Sequence, residues 1–217
     1  MSPSHDETAR TVYDRSAAQY AAAVGTTVSR DFEARVDLAQ LTVFADECRA
    51  LPPGRALDAG CGSGRIARFL ADRGVDVLGT DIAPGMIDVA RRAHPDIPFE
   101  VAPLTALPID DRKAVGVAYW YSIIATPATA LDEVWQELRR SLTDGGVALV
   151  AFQCGGGEAV ERPDAYGTGT ALTLYRHSID AVTTGLERAG LQITAVTQRA
   201  PRFEHETTPQ AFVHACA

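Results

Sequence analysis

The stretch Leu57-Asp58-Ala59-Gly60-Cys61-Gly62-Ser63-Gly64-Arg65 decides the fold. An apolar run, Arg55–Ala59, enters three alternating glycines, and a helical pattern, Ile66–Arg73, opens directly after them. Glycine is required where a chain turns sharply, or where backbone must approach a ligand too closely for a Cβ. The first turn of the following helix points free N–H groups back at the same spot. A fold that carries a nucleotide at the end of its first strand needs this arrangement.

Working outward, the pattern alternates. Strands are predicted at Val75–Thr80, Pro98–Val101, Ala114–Tyr121 and Val147–Phe152, the last apolar throughout, as befits a strand buried on both faces. Helices are predicted at Met86–Ala93, Leu131–Leu142 and Asp180–Arg188. Two final strands, Leu191–Thr197 and Ala211–Cys216, have no helix between them, so the last should return antiparallel. Strands separated by helices imply an α/β fold with a mostly parallel, doubly wound sheet. Ahead of it, 1–10 reads as frayed and Thr11 to about Arg49 as helical, stopped by Leu51-Pro52-Pro53-Gly54. The expected organisation is a helical lid or cap over 1–50 and a nucleotide-binding domain over 51–217. A Gly- and Thr-rich insertion at about 154–177 should shape the pocket.

An acid, Asp81, closes the second strand 21 residues after Gly60, near the ~20-residue offset at which a carboxylate meets ribose hydroxyls. The competing reading makes Asp81 a solvated turn residue, but strand, loop, helix, strand and acid agree in order and spacing. The loop is Gly60-x-Gly62-x-Gly64, whereas the pyrophosphate fingerprint is G-x-G-x-x-G. Asp58, beside the loop, would repel phosphate and suit an ammonium or sulfonium cation. S-adenosylmethionine carries both cations and no phosphate, so the charge decides against a nicotinamide dinucleotide.

Leu57–Arg65 resembles motif I of class I S-adenosylmethionine-dependent methyltransferases of the small-molecule type. Asp81-Ile82-Ala83-Pro84-Gly85-Met86-Ile87 resembles their acidic-loop segment, and Leu138–Gly146 the turn before their fifth strand. The resemblance covers about 55–153. It implies a Rossmann-like sheet of seven strands in the order 3-2-1-4-5-7-6. It also implies that Asp58 and the Gly60, Cys61, Gly62, Gly64 and Arg65 segment hold the methionine moiety, that Asp81 holds the ribose, and that Ile82 and Met86 pack on adenine. The family commonly has an acid after strand three, but this chain reads Ala102-Pro103-Leu104. Adenine should then rest on apolar packing and backbone from Leu104 and Thr105.

Strand four ends in Tyr119-Trp120-Tyr121-Ser122. Three aromatics cannot share one strand face, so at least one should meet the cleft, where a ring suits a sulfonium or a planar acceptor. Tyr119 is the expected cofactor contact and Tyr121 the acceptor-side one; core packing is the alternative for either. Tyr13 and Tyr20 lie two turns apart on one helix face, as in the lid helix of small-molecule methyltransferases. Tyr13 is thereby, with Tyr121, a catalytic candidate on the acceptor side and Tyr20 a cofactor one, with amphipathic packing as the alternative for Tyr13 and Tyr20. His177, before a helix, is the best general-base candidate, against a histidine with no chemistry.

Lys+Arg 20 against Asp+Glu 28 gives a net charge of −8, which disfavours nucleic-acid and membrane partners. Cys48, Cys61, Cys154 and Cys216 form no CxxC pair, so no metal site is expected, and the polar start points to the cytoplasm. The expected activity is in-line O-, N- or C-methylation of a small molecule by a monomer or homodimer. The alternatives are a non-methylating reaction of the same cofactor, such as cyclisation or decarboxylation, and a non-catalytic cofactor-binding module.

Overall fold

The computed structural model describes residues 4–217. Helices α1 (His5–Val24) and α2 (Arg35–Ala50) lead into β1 (Arg55–Ala59), α3 (Arg65–Ala71), β2 (Val77–Asp81), α4 (Pro84–Ala93) and β3 (Phe99–Val101). There follow β4 (Ala114–Trp120), α5 (Leu131–Ser141), β5 (Leu142–Gln153), β6 (Ala159–Arg162), β7 (Leu172–Tyr175), α6 (Ile179–Arg188), β8 (Gln192–Arg199) and β9 (Gln210–Cys216).

The main sheet has seven strands in the order β3-β2-β1-β4-β5-β9-β8. Counting its own strands alone, this is the expected 3-2-1-4-5-7-6. Strands β6 and β7 pair only with each other, as an antiparallel hairpin inside the Gly- and Thr-rich segment. Strand β9 runs antiparallel to both β5 and β8, and the remaining pairings are parallel. All seven residues of β4 are buried, because helices cover both faces of the sheet. Leu41, Phe44, Phe69 and Ile87 from α2, α3 and α4 fill one face. Trp135, Leu138, Val182 and Leu186 from α5 and α6 fill the other.

The first turn of α1 differs from the expected frayed segment. Ser4 caps it: the Glu7 N–H donates to Ser4 Oγ at 3.2 Å, and the Ser4 N–H donates to Glu7 Oε2 at 2.8 Å. This reciprocal box satisfies two backbone donors that would otherwise fray the end. Ser4 is therefore the cap and 5–10 the start of an ordered helix, while 1–3 lie outside the described residues. The helical region also breaks at Gly25 into two helices with an irregular link.

That link is tied to the glycine loop. Ser63 Oγ donates to the Gly25 carbonyl at 2.7 Å, and His94 Nε2 lies 2.8 Å from the Thr26 carbonyl. Helix α1 then lies across α4. Ala83, the N-cap of α4, offers no side-chain acceptor, and Asp14 Oδ1 of α1 accepts from the Gly85 N–H at 2.6 Å instead. A Cβ on Gly85 would come within 2.7 Å of the Asp14 carbonyl, so glycine lets the two helices touch. Asp14→Ala should destabilise the fold by about 1 kcal/mol, the usual cost of losing a cap. A urea titration reads that change, and a loss under about 0.3 kcal/mol would show the contact idle.

Candidate functional site

Strand β1 ends at a loop in which Gly60, Gly62 and Gly64 all have positive φ, at 77°, 52° and 82°. Gly60 faces strand four's exit: a Cβ there would stand 2.2 Å from Ser122 Cβ. Gly64 serves packing instead, since its Cβ would meet Phe99, Ala90 and His94 at 2.9–3.1 Å.

Asp81 sits at the end of β2 and anchors the loop. Its Oδ2 accepts from the Gly62 N–H at 2.9 Å, and its Oδ1 accepts from the Ala83 N–H at 2.9 Å. Each oxygen keeps a lone pair free toward the cavity it lines. Burial pushes its carboxyl above the usual range, and the backbone donors pull it partly back.

Asp58 is buried beneath the loop. Its Oδ2 accepts from the Ala67 N–H of α3 at 2.9 Å, while its Oδ1 is buried without a partner. A buried acceptor left unpaired costs about 1–3 kcal/mol, so this atom is poised for a donor the chain does not itself supply. Burial is the main reason the carboxyl is pushed up to about 7; the Ala67 N–H opposes it and the charge of Asp81 adds to it.

A cavity of about 140 Å³ opens above these residues. Glycines 60 and 62, Asp81, Ile82, Met86 and Leu104 line one end. Trp120, Tyr121 and the turn through Ser122 and Ile124–Thr126 line the other. The roof comes from two distant segments: Asp6, Ala9, Tyr13 and Tyr20 of α1, and Tyr166 of the 154–177 segment. The rings of Tyr13, Tyr20 and Tyr166 meet pairwise, with centroids 5.7–6.3 Å apart. Burial is the first reason that all three phenols are shifted up, Tyr166 to about 12.

Of the residues marked from sequence, Tyr13, Tyr20, Gly60, Gly62, Asp81, Ile82, Met86, Leu104 and Tyr121 converge on this cavity. Others do not line it. Tyr119 is fully buried on the opposite side of the sheet, edge-on to Trp135 at 6.0 Å. The alternation that favoured it is broken one residue after β4. Tyr121 has φ 59°, a left-handed conformation that ends the period of two and turns Tyr121 toward the same cavity as Trp120. His177 is also buried away from the cavity, with Nε2 3.2 Å from the Ile123 carbonyl, and burial lowers its pKa. It closes the foot of the 154–177 segment by pairing with Cys154. Cys61 packs under the loop near Gly79, its thiol pushed well up by burial. Arg65 is not in the lining: it pairs with Glu33 and bonds Tyr20 from behind the wall, and Thr105 stands clear of the cavity.

Sequence alone did not single out Asp6, Ala9 or the Ile124–Thr126 turn. It placed Trp120 and Ser122 at the exit of strand four and Tyr166 within the pocket-shaping segment, without giving any of the three a role. Among the described residues no cluster of three or more His, Cys, Asp or Glu could hold a metal ion, and no helix is long and apolar enough to cross a membrane.

Residues 56–146 match the family model described as a methyltransferase domain. Over 111 residues the chain is 35% identical to a demethylmenaquinone methyltransferase of Renibacterium salmoninarum, covering 50% of this chain and 45% of that one. It is 29% identical over 143 residues to a malonyl-[acyl-carrier protein] O-methyltransferase of Serratia marcescens, covering 59% and 55%. The chain thus spans about half the length of the curated relatives it matches. Magnesium protoporphyrin IX methyltransferase from Synechocystis PCC 6803, solved with bound S-adenosylmethionine, superposes with a TM-score of 0.71 at 18% identity, over 99% of this chain and 98% of that one. Residues 56–146 are thus similar to a methyltransferase domain, and the sheet has the fold of S-adenosylmethionine-dependent methyltransferases. S-adenosylmethionine is the cofactor bound in the Synechocystis structure.

The residues present fit such a cofactor. Asp58 Oδ1 offers a buried, unpaired acceptor below the glycine loop, Asp81 offers free lone pairs, and Ile82, Met86 and Leu104 offer an apolar bed. The raised Asp58 carboxyl gives a signed expectation. Its folded pKa near 7 exceeds the ordinary value of 3.8. Its contribution to the unliganded fold is therefore fully present below about pH 3.8 and is lost as pH rises through about 7. A bound ammonium favours the ionised form, so cofactor binding near pH 6 should release up to about one proton. Calorimetry in buffers of different ionisation enthalpy measures this, and Asp58→Asn should abolish the release.

Proposed function

We propose that this chain transfers the methyl group of S-adenosylmethionine to a small-molecule acceptor held in the same cavity. The observation that carries the reading is one cavity with two ends. The glycine loop and Asp81 form the cofactor end, and the Trp120–Thr126 turn with Asp6, Ala9 and Tyr166 forms the acceptor end. The bound cofactor would supply an electrophilic methyl group on a positively charged sulfur. The protein's work is then to align the acceptor and keep water out, which is catalysis by proximity and orientation.

In this reading Asp58 takes the ammonium, Asp81 the ribose hydroxyls, and Ile82, Met86 and Leu104 the adenine. Tyr13, Tyr20 and Tyr166 close over the site as a lid, with α1 as its helical part and the 154–177 segment as its second half. Tyr121 and Trp120 form the floor beneath the transferred methyl. The named relatives act on menaquinone precursors, an acyl-carrier-protein-bound malonyl group and a porphyrin. That spread supports a small-molecule acceptor of the class while leaving the acceptor to this chain's own cavity.

Four unpaired cysteines, three of them buried, support a reducing compartment such as the cytoplasm. The working unit is a monomer or homodimer. Transfer of label from methyl-labelled cofactor to a panel of acceptors, with stoichiometric S-adenosylhomocysteine, tests the proposal. Tight binding of the cofactor with no transfer to any acceptor would favour the non-catalytic module; consumption of an acceptor without S-adenosylhomocysteine would favour the non-methylating enzyme.

A further inference from the structure

We infer that the acceptor is a neutral amine on a planar, apolar framework and that methylation occurs on nitrogen. The inference rests on the function proposed above and deepens it. It follows from which charges and bases the cavity has and which it lacks.

Among the described residues no Lys, Arg or His lines the cavity. Two arginines behind its wall are held in pairs. Arg65 is paired to Glu33 and bonded to the outer side of Tyr20, and Arg199 makes buried ion pairs to Asp37 at 2.6 Å and Glu206 at 2.5 Å. The charged side chains in the lining are two carboxylates, Asp6 and Asp81. The other polar side chains in the lining are hydroxyls and the buried Trp120 indole N–H, and five aromatic rings, those of Tyr13, Tyr20, Trp120, Tyr121 and Tyr166, supply negative faces. An acceptor carrying a carboxylate or phosphate would be desolvated here with no side-chain cation in the lining to pair with.

The cavity also lacks a base for a hydroxyl or carbon acid. His177 is buried outside it and bonded to the Ile123 carbonyl. Burial keeps the four phenols protonated. Asp81 holds the loop at the cofactor end, where its free lone pairs face the ribose in this reading, and Asp6 sits at the rim, where its carboxylate lies 3.1 Å from His5. An amine nitrogen needs no base, since its lone pair is already free.

The charge balance agrees with the lining. The nitrogen lone pair forms the N–C bond as the S–C bond breaks, and the broken bond's electron pair stays on sulfur. One positive charge leaves sulfur and one appears on nitrogen, a few ångströms apart in the same aromatic surroundings. A primary or secondary amine then loses a proton to solvent, and a tertiary one leaves as a quaternary cation. Transfer to an oxyanion would instead annihilate a cation that the rings and carboxylates favour.

The test uses purified chain saturated with S-adenosylhomocysteine and four naphthalene probes: N-methyl-1-naphthylamine, trimethyl-1-naphthylammonium, 1-naphthol and 1-naphthoate. Binding is followed by calorimetry. The amine and the ammonium should each bind at least about tenfold more tightly than the carboxylate. The doubly substituted Asp6→Asn, Tyr166→Leu chain should narrow that gap to under about threefold while still binding S-adenosylhomocysteine. Methyl transfer from labelled cofactor should reach the amine and not the naphthol. Equal affinity across the series, a preference for naphthoate, or no amine binding at millimolar concentration would overturn the inference. Failure to bind S-adenosylhomocysteine at all would instead overturn the functional reading beneath it.

Discussion

Replacing Asp81 by alanine should weaken S-adenosylhomocysteine binding by at least about 100-fold while leaving a folded protein. Each carboxylate oxygen accepts one backbone N–H, from Gly62 and from Ala83, and keeps a lone pair toward the cavity. Hydrogen bonds to a charged group contribute about 1.5–3 kcal/mol each, so losing two toward a ribose reaches about 3–6 kcal/mol. The same change strands the Gly62 N–H and loosens the turn that shapes the cavity. Asp81→Asn keeps an oxygen acceptor and should fall between the two. Titration calorimetry beside circular dichroism separates binding from folding. A change under tenfold in the alanine variant would show that the cofactor lies elsewhere.

Gly60→Ala should have the largest effect on the fold and the site together. The added Cβ would stand 2.2 Å from Ser122 Cβ, at a backbone φ of 77°. The left-handed backbone costs a residue with a Cβ about 1–2 kcal/mol, and overpacking typically adds 1–3 kcal/mol. A loss of about 2–5 kcal/mol in urea unfolding is expected, with cofactor binding weakened as the loop shifts into the cavity. Ser122→Gly in the same chain removes the collision and leaves the backbone strain. It should therefore restore about half of the loss; no restoration would mean that the strain, and not the contact, dominates.

Much of the site was legible because its chemistry is local. Gly60, Gly62 and Asp81 are positioned by a loop and two strand ends, and their spacing carries the geometry. Tyr13 and Tyr20 could be paired because helix periodicity is local as well. Tyr119 was misplaced because one positive φ, at Tyr121, cancels the alternation on which a strand reading depends. His177 attracted attention for its titration range, but its burial against the Ile123 turn, 54 residues away, is a long-range fact. The first turn of α1 carried its own signal in Ser4 and Glu7, a capping box in an otherwise polar opening.

The sequence by itself determined the class of fold, the order of its strands and the choice of a cation-bearing nucleoside over a pyrophosphate, because glycine spacing, strand periodicity and the charge of Asp58 act within a few residues. Only the tertiary structure decided which groups roof and floor the cavity. It brought Asp6, Tyr13 and Tyr20 from one end of the chain against Tyr166, and it kept Arg65 and Arg199 out of the lining in pairs with Glu33, Asp37 and Glu206. Such choices depend on which distant segments pack together, and packing is settled by the whole apolar core.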